Sequence, residues 1–533
     1  MAIEKFFNTE GPVKADDHYC IPPLERWDMQ EILTLIDRKR YFVLHAPRQT
    51  GKTTCLLALM DYLNKGKQYT CLYVNIEAAQ AMRGKVDKAM AIVVDAIADA
   101  AELYLGDASL LSRISTLKEQ YAGGYLVKAL LSTWSRDKGK PIVLLLDEVD
   151  SLVGDALIAL LRQLRSGYSQ RPEAFPQAVT LCGVRDVRDY RIQSTQEGII
   201  TGGSAFNIKA ESLRLGNLTR AEIAILYAQH TEATGQVFEL EGIDYVFEQT
   251  RGQPWLVNAL GYQACFRKEN TERSQAITLE AMVSAREQLI HRRDTHLDQL
   301  TDKLKEPRIQ RVISRLLTGE ESSQALPEED DLQYAEDLGL IARRPQLSIA
   351  NPIYREIIPR ALSWVVEEYI VQKSKWYMAG DSRLQVSKLL KAFEDFYREN
   401  AAIWLDHFAY REAAPQLLLQ AFLQRIVNSG GRIDREYGLG RRRTDLLLQW
   451  PLDKEQGFYG PVQKVVIEVK LLHKSLEQTI ATGVPQTGDY MQRCSAEEGY
   501  LIIFARDRSK ALDQYGFQGQ KRHGKLNVGV WVM

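Results

Sequence analysis

The 533-residue chain has six cysteines, and they are scattered. Cys20, Cys55, Cys71, Cys182, Cys265 and Cys494 form no C-x-x-C pair and stand beside no histidine cluster, so spacing indicates neither a zinc site nor a disulfide framework. Reduced thiols fit a cytoplasmic protein. No stretch approaches the ~20 apolar residues of a membrane span, and the start, Met1-Ala-Ile-Glu-Lys-Phe-Phe7, lacks the apolar core of a signal peptide. The expectation is a soluble chain with no membrane partner. Charge of one sign is also missing: the formal net charge is −1, which excludes a polycation that coats nucleic acid indiscriminately.

What is present is ordinary globular material, 45% hydrophobic and 26% charged, in a chain long enough for about three or four domains. Residues 380–533 hold 22 Lys and Arg against 18 Asp and Glu, leaving the rest of the chain at −5. That mild asymmetry permits a nucleic-acid partner at the C-terminal end without requiring one.

The most informative stretch runs from Tyr41 to Thr54, an apolar run followed by Ala46-Pro47-Arg48-Gln49-Thr50-Gly51-Lys52-Thr53-Thr54. A small-residue loop between a buried strand and a helix aims successive backbone N–H groups into one concavity, at the positive end of the helix dipole. These nine residues are candidate nucleotide-binding residues, with Lys52 reaching the β- and γ-phosphates of ATP and the Thr53 hydroxyl a ligand to Mg. Ala46 stands where G-x-x-x-x-G-K-[ST] has its first glycine, so a chance Gly-Lys-Thr in an ordinary strand-to-helix turn is the bland alternative.

From Tyr41 to about Ser204, apolar runs at Tyr41–Leu44, Cys71–Ile76, Ile142–Leu146 and Ala178–Gly183 alternate with amphipathic stretches such as Val86–Leu105 and Tyr125–Ser135. Alternation of this kind predicts a parallel sheet covered by helices on both faces. The third run ends in Asp147-Glu148, and two carboxylates at the edge of an apolar core are costly unless something cationic holds them. Asp147 is the candidate second Mg ligand and Glu148 the candidate catalytic residue that polarises the attacking water; a helix N-cap is the alternative for Asp147 or Asp150. Arg185, just past the fourth run, is the candidate γ-phosphate sensor. Arg188 and Arg191 read as surface ion-pair formers, or as contacts across a subunit boundary in a homo-oligomer. In the lead-in, the prolines of Ile21-Pro22-Pro23 hold the chain extended, and Arg26 is either a base contact or an exposed Arg at a helix start.

Ala46–Thr54, Leu146-Asp147-Glu148, Arg185 and Gly252-Gln253-Pro254 together resemble the AAA-like, signal-transducing (STAND-type) and archaeal-type P-loop ATPases over roughly residues 20–360. The resemblance implies that Gly-x-Pro closes a helical lid over adenine and that Pro254 touches the base; a plain Pro at a helix start is the alternative. Residues 307–362 look like a winged helix. Its would-be reading helix, Asp330–Asp337, is acidic and would repel phosphates, which points to a lid or regulatory role.

A second centre lies near the C-terminus. Thr444-Asp445 precedes Lys464-Val-Val-Ile-Glu468-Val-Lys470, and pairing of adjacent antiparallel strands would place Asp445 near Glu468, with Glu468 and Lys470 on one face. Carboxylates there would hold one or two Mg or Mn ions, and Lys470 would position a water or stabilise developing charge. With Gln486-Thr-Gly-Asp-Tyr490 downstream, the set resembles the PD-(D/E)XK nuclease superfamily over roughly 395–533, although Thr444 replaces the motif's Pro. The resemblance implies catalytic roles for Asp445, Glu468, Lys470, Gln486 and Tyr490, and adds Glu412 as a weaker metal ligand. Arg441, Arg442 and Arg443 are a phosphate-contact patch or a solvated charge run.

The expected fold class is α/β multidomain. The expected parts are a lead-in (1–40), a P-loop ATPase core (41–215), a helical lid (216–300), a winged-helix-like domain (301–365), a connector (366–394) and a restriction-endonuclease-like domain (395–533). The expected function is an ATP-binding and hydrolysing switch that controls a metal-dependent nuclease acting on DNA, with defence against foreign DNA as the context the fusion suggests. The alternative is a regulatory ATPase whose C-terminal fold binds nucleic acid or protein without cutting. A translocase is disfavoured, since no helicase-like motif set follows Glu148.

Overall fold

Strand runs rich in Val, Ile and Leu cannot leave either face in water, and in the computed structural model they assemble into a buried parallel sheet. The description covers residues 4–82, 85–185, 191–194, 198–201, 208–267, 272–292, 302–318, 328–369, 377–380, 382–407, 414–427, 431–436, 444–453, 456–472, 475–505 and 516–533. The chain forms two units, Met1–Arg292 with Gln333–Ile341, and Arg293–Leu332 with Ala342–Met533.

In the first unit, α1 (Met29–Asp37) leads into β1 (Tyr41–His45) and α2 (Lys52–Lys65). There follow β2 (Thr70–Asn75), α3 (Val86–Leu105), α4 (Leu111–Gln120), α5 (Gly123–Asp137), β3 (Ile142–Asp147), α6 (Asp155–Gly167) and β4 (Ala178–Gly183). A separate hairpin, β5 (Arg191–Ser194) and β6 (Gly198–Thr201), precedes β7 (Lys209–Arg214). The sheet order is β2-β3-β4-β1-β7, parallel throughout, so β4 stands between the loop-bearing β1 and the acidic β3. Strand alternation splits the core: Tyr41, Val43 and Leu144 pack with Val93, Leu130 and Leu161, whereas Phe42, Leu44 and Val143 pack with Ile36 and Leu56. The sequence reading missed β7, whose Lys-Ala-Glu-Ser-Leu-Arg has no apolar run because it forms a sheet edge.

Among the described residues, four helices continue this unit: α7 (Arg220–Thr234), α8 (Leu240–Thr250), α9 (Pro254–Phe266) and α10 (Leu279–Arg292). The first begins with a capping box, in which Thr219 accepts from the Glu222 N–H and Glu222 accepts from Thr219. The N-terminal segment is anchored on these helices. Phe7 is fully buried among Tyr19, Tyr227, His230, Phe238 and Phe266, and the Trp255 indole donates to the Thr9 carbonyl at 2.9 Å.

Further along come α11 (Pro307–Thr318), α12 (Glu329–Asp337), the two-stranded β8 (Ile341–Ala342) and β9 (Ser348–Ile349), and α13 (Pro352–Tyr369). The acidity of α12 is largely internal. Asp331 is buried against Arg308 at 2.8 Å and Arg311 at 2.6 Å.

The C-terminal part of the second unit has α14 (Val386–His407), α15 (Ala414–Val427), β10 (Arg432–Glu436), β11 (Thr444–Pro451), β12 (Val462–Leu472), α16 (Leu476–Cys494), β13 (Glu498–Ala505), β14 (Gly516–His523) and β15 (Leu526–Val532). The six-stranded sheet runs β10-β11-β12-β13-β15-β14, antiparallel on both flanks and parallel across β12, β13 and β15. One face, with Val466, Leu501, Ile503 and Val530, is closed by Val484, Tyr490 and Met491 of α16. Close approach there needs glycine: a Cβ on Gly483 would lie 2.6 Å from Leu501, and one on Gly488 would lie 2.3 Å from His523.

Candidate functional site

The loop from Ala46 to Gly51 turns sharply enough that Gln49 and Gly51 both adopt positive φ, 58° and 95°. Gly51 at the N-cap of α2 meets that demand at no steric cost. Lys52 is buried and bends back over the loop, its ammonium donating to the Ala46 carbonyl at 2.9 Å and the Pro47 carbonyl at 3.0 Å. Within the loop, the Thr50 hydroxyl donates to the Pro47 carbonyl at 2.9 Å. On the first turn of α2, the Thr53 hydroxyl donates to Asp147 at 2.7 Å, although β4 separates their strands. Thr54 Oγ1 accepts from the Val13 N–H at 3.1 Å, which ties the lead-in to the loop.

Asp147 is fully buried at the end of β3. Its Oδ2 also accepts from the Tyr73 hydroxyl at 3.1 Å, and its Oδ1 accepts from the Glu148 N–H at 3.0 Å. Burial, then the negative charge of Asp147, raises the Tyr73 phenol well above its ordinary pKa and keeps it a donor. Tyr73 was not foreseen; its only signal was a polar tip inside the apolar run Cys71–Ile76. Glu148 holds a left-handed backbone at φ 58°, a conformation that costs a non-glycine residue roughly 1–3 kcal/mol. Its carboxyl is pushed up by burial and by Asp150 and Asp147, opposed by Lys52 and Arg48. Asp150 is no helix cap: it accepts from the Val184 N–H at 3.3 Å, past the end of β4.

Arg185, at the end of β4, is buried, with Nε 3.4 Å from Asp337 and its guanidinium 4.8 Å from the Tyr334 ring centroid. The same segment brings Gly339 against Pro47 of the loop, where an added Cβ would come within 2.9 Å. Pro254 opens α9 and is buried, and the Gln253 side chain accepts from the Leu256 N–H at 2.6 Å. Gly252 is obligatory: its φ is 73°, and an added Cβ would fall 1.8 Å from the Leu218 carbonyl oxygen. The Arg26 guanidinium donates to the Thr50 carbonyl at 3.3 Å and the Gly216 carbonyl at 2.7 Å. Arg188 lies outside the described residues, and Arg191 is described only as the backbone start of β5.

The chemistry of these donors fits a hydrated Mg ion. A hydroxyl and a carboxylate oxygen 2.7 Å apart, beside a loop lysine, are hard oxygen ligands for a cation that keeps most of its waters.

In the second unit, Asp445 is the direct register partner of Glu468 across the β11–β12 ladder. Glu468 is fully buried, and the Lys470 ammonium stands 3.0 Å from its Oε1. Both share the face of Val466, which α16 covers. Tyr490 of α16 is buried on that face, and Gln486 Oε1 is buried without a hydrogen-bond partner among the described residues. The Asp445 side chain, Glu412 and Arg441 to Arg443 lie outside the described residues. Among the described residues, no group of three His, Cys, Asp or Glu is arranged to hold a metal ion, and no helix is long and apolar enough to cross a membrane.

No family model and no curated protein matches the chain. Solved structures similar to it include the Walker-type ATPase of Pyrococcus abyssi, at 13% identity over 66% of this chain and 99% of that one, with a TM-score of 0.48. Others are Cdc6p from Pyrobaculum aerophilum (13%, 68% and 98%, TM-score 0.36) and the Thermotoga maritima RuvB Holliday junction branch migration motor (13%, 65% and 97%, TM-score 0.32). Likenesses this distant carry no functional weight. The parallel five-stranded sheet, with the Ala46–Gly51 loop after β1 and the acid-tipped β3, fits the α/β fold of P-loop NTPases.

Proposed function

We propose that the chain is an ATP-binding and hydrolysing switch that controls a metal-dependent nuclease in its C-terminal part. The 2.7 Å link between Thr53 and Asp147, with Lys52 and Glu148 beside it, carries the first half. Lys52 exchanges its loop carbonyls for phosphate oxygens, and the loop N–H groups orient the triphosphate. Thr53 and Asp147 would hold Mg, which supplies charge neutralisation at the phosphates. Glu148, beside Lys52 and Arg48, orients the attacking water. Arg185 leaves Asp337 for the γ-phosphate, which makes residues 333–341 sensitive to the nucleotide state. The helix, helix, hairpin and helix of α11 to α13 then act as a winged-helix-like regulatory module.

The nuclease half rests on Asp445 opposite Glu468, two residues before Lys470, on the face that carries Tyr490. Directly opposed residues of an antiparallel pair share a face. Asp445 and Glu468 would hold Mg or Mn there, Lys470 stabilises developing negative charge, and Gln486 and Tyr490 of α16 orient the scissile phosphate. DNA as substrate, and defence against foreign DNA as context, follow from the motif resemblance alone. One observation favours a second reading, a regulatory ATPase whose C-terminal fold binds nucleic acid or protein without cutting: Lys470 neutralises Glu468, as a purely structural ion pair would.

A plasmid- and RNA-cleavage assay with Mg and with ATP, ADP or no nucleotide separates the readings. Cleavage by the wild type and its loss in Asp445→Ala and Lys470→Ala support the nuclease; no cleavage of any substrate in any nucleotide state sinks it. Unchanged ATP binding and hydrolysis in Lys52→Ala would remove the ATPase half.

A further inference from the structure

The proposed ATPase leaves Arg26 unused, and its surroundings give it a task. The short turn Pro23–Arg26 lies against the first turn of α2, where Cys55 Sγ donates to the Pro23 carbonyl at 3.3 Å. From there the Arg26 guanidinium forks. One nitrogen donates to the Thr50 carbonyl at 3.3 Å and the other to the Gly216 carbonyl at 2.7 Å. The first nitrogen stands so close to the loop that a Cβ on Gly51 would meet it at 3.5 Å.

Both acceptors sit at decisive points of the backbone. In a trans peptide the C=O of one residue and the N–H of the next point in opposite directions, so fixing the Thr50 carbonyl on the Arg26 side turns the Gly51 N–H the other way. Gly51 is the N-cap of α2 and one of the loop residues that meet phosphate. Gly216 belongs to the connector between β7 and α7, which is held at every step: the Leu215 N–H donates to the His45 carbonyl at 3.1 Å, the Asn217 side chain to the Arg251 carbonyl at 3.0 Å, and the Leu218 N–H to the Gly252 carbonyl at 2.7 Å. Gly216 is the link of that connector that Arg26 grips.

We propose that Arg26 is a positioning residue: by holding Thr50 and Gly216 together it aims the Gly51 amide at the nucleotide phosphates and ties the shape of the phosphate loop to the connector that leads into the helices α7 to α10. A lysine cannot do this, because a single ammonium lacks the planar fork that reaches two carbonyls in fixed directions. The assignment rests on the ATP-binding reading above and deepens it. It predicts an effect on phosphate recognition and none on base recognition.

The test uses the full chain with Arg26→Lys and, as a second variant, Arg26→Gln, each checked for cooperative thermal unfolding. Affinity for Mg-ATP and for adenosine is measured by calorimetry or competition, and KM is separated from kcat. The expected result is an Mg-ATP affinity lowered about ten-fold and a KM raised to match, with adenosine affinity unchanged. Wild-type affinity for Mg-ATP in a folded variant overturns the assignment. So does an equal fall for ATP and adenosine, which would make Arg26 a base contact. A wild-type chain that binds no Mg-ATP at all would strike the ATPase reading itself, an outcome distinct from either.

Discussion

Asp147 and Glu468 are both fully buried carboxylates on strands, and they are held in opposite ways. Asp147 accepts from neutral donors: the Thr53 and Tyr73 hydroxyls and the Glu148 N–H. Glu468 faces a formal cation, the Lys470 ammonium at 3.0 Å. Neutral donors leave a buried negative charge in place, which is what the proposed Mg site requires. An ammonium cancels that charge, so the second strand carries an internally neutral pair until Lys470 is drawn elsewhere.

The largest expected effect breaks the second arrangement. Lys470→Ala should destabilise the chain by about 3–5 kcal/mol, because it removes the ammonium beside a fully buried carboxylate, and should abolish any cleavage. The double variant Glu468→Gln with Lys470→Met should recover most of that stability but none of the cleavage. Denaturant unfolding alongside a plasmid assay checks both. If Lys470→Ala proves as stable as the wild type, Glu468 does not depend on its neighbour, and the contrast with Asp147 collapses.

At the first site the corresponding change is chemical rather than structural. Glu148→Gln should lower ATP turnover by about 100-fold or more while nucleotide binding persists. The pH profile sharpens this. Burial and the neighbouring acids raise the Glu148 pKa, and a base works only when deprotonated, so wild-type turnover should rise with pH along a limb above the usual carboxylate range. The Gln variant should lose that limb, and a limb that survives belongs to another group.

Asp337→Asn should act more mildly. It removes the partner that holds Arg185 at 3.4 Å, and it should raise affinity for ATP relative to ADP by roughly 3- to 10-fold if Arg185 serves the γ-phosphate. Equal shifts for the two nucleotides would make the pair structural.

Legibility in the sequence followed the physics of each part. Buried strands advertise themselves, so β1 to β4 were readable from apolar runs, Gly51-Lys52-Thr53 from its small-residue loop between strand and helix, and Asp147-Glu148 from the cost of placing two carboxylates at the edge of a core. The edge strand β7 was not, since Lys-Ala-Glu-Ser-Leu-Arg buries little. Partners distant in sequence were equally hidden. Nothing in the order of residues says that Asp337 would find Arg185, or that Arg26 would fork between Thr50 and Gly216. In the second unit the alternation of Glu468 and Lys470 was legible because strand periodicity is local, and the pairing of Glu468 with Asp445 because the two apolar runs read as adjacent antiparallel strands. The glycines that let α16 lie close to its sheet gained meaning only once Leu501 and His523 stood opposite them.

The smallest effect tests the neutral-donor side of the comparison. Tyr73→Phe keeps the ring against Tyr104, 6.0 Å away between centroids, and removes only the hydroxyl that donates to Asp147. One lost hydrogen bond to a charged group in a site that retains two donors should cost about 1–2 kcal/mol of stability. Asp147 then carries more uncompensated charge, so the Mg concentration that half-saturates ATP turnover should fall by about 2- to 5-fold. Magnesium titrations of turnover in wild type and variant measure this directly. A fall would show that the hydroxyls hold Asp147 in competition with a cation; a rise would show that Tyr73 instead orients the carboxylate for one, as Lys470 cannot do for Glu468.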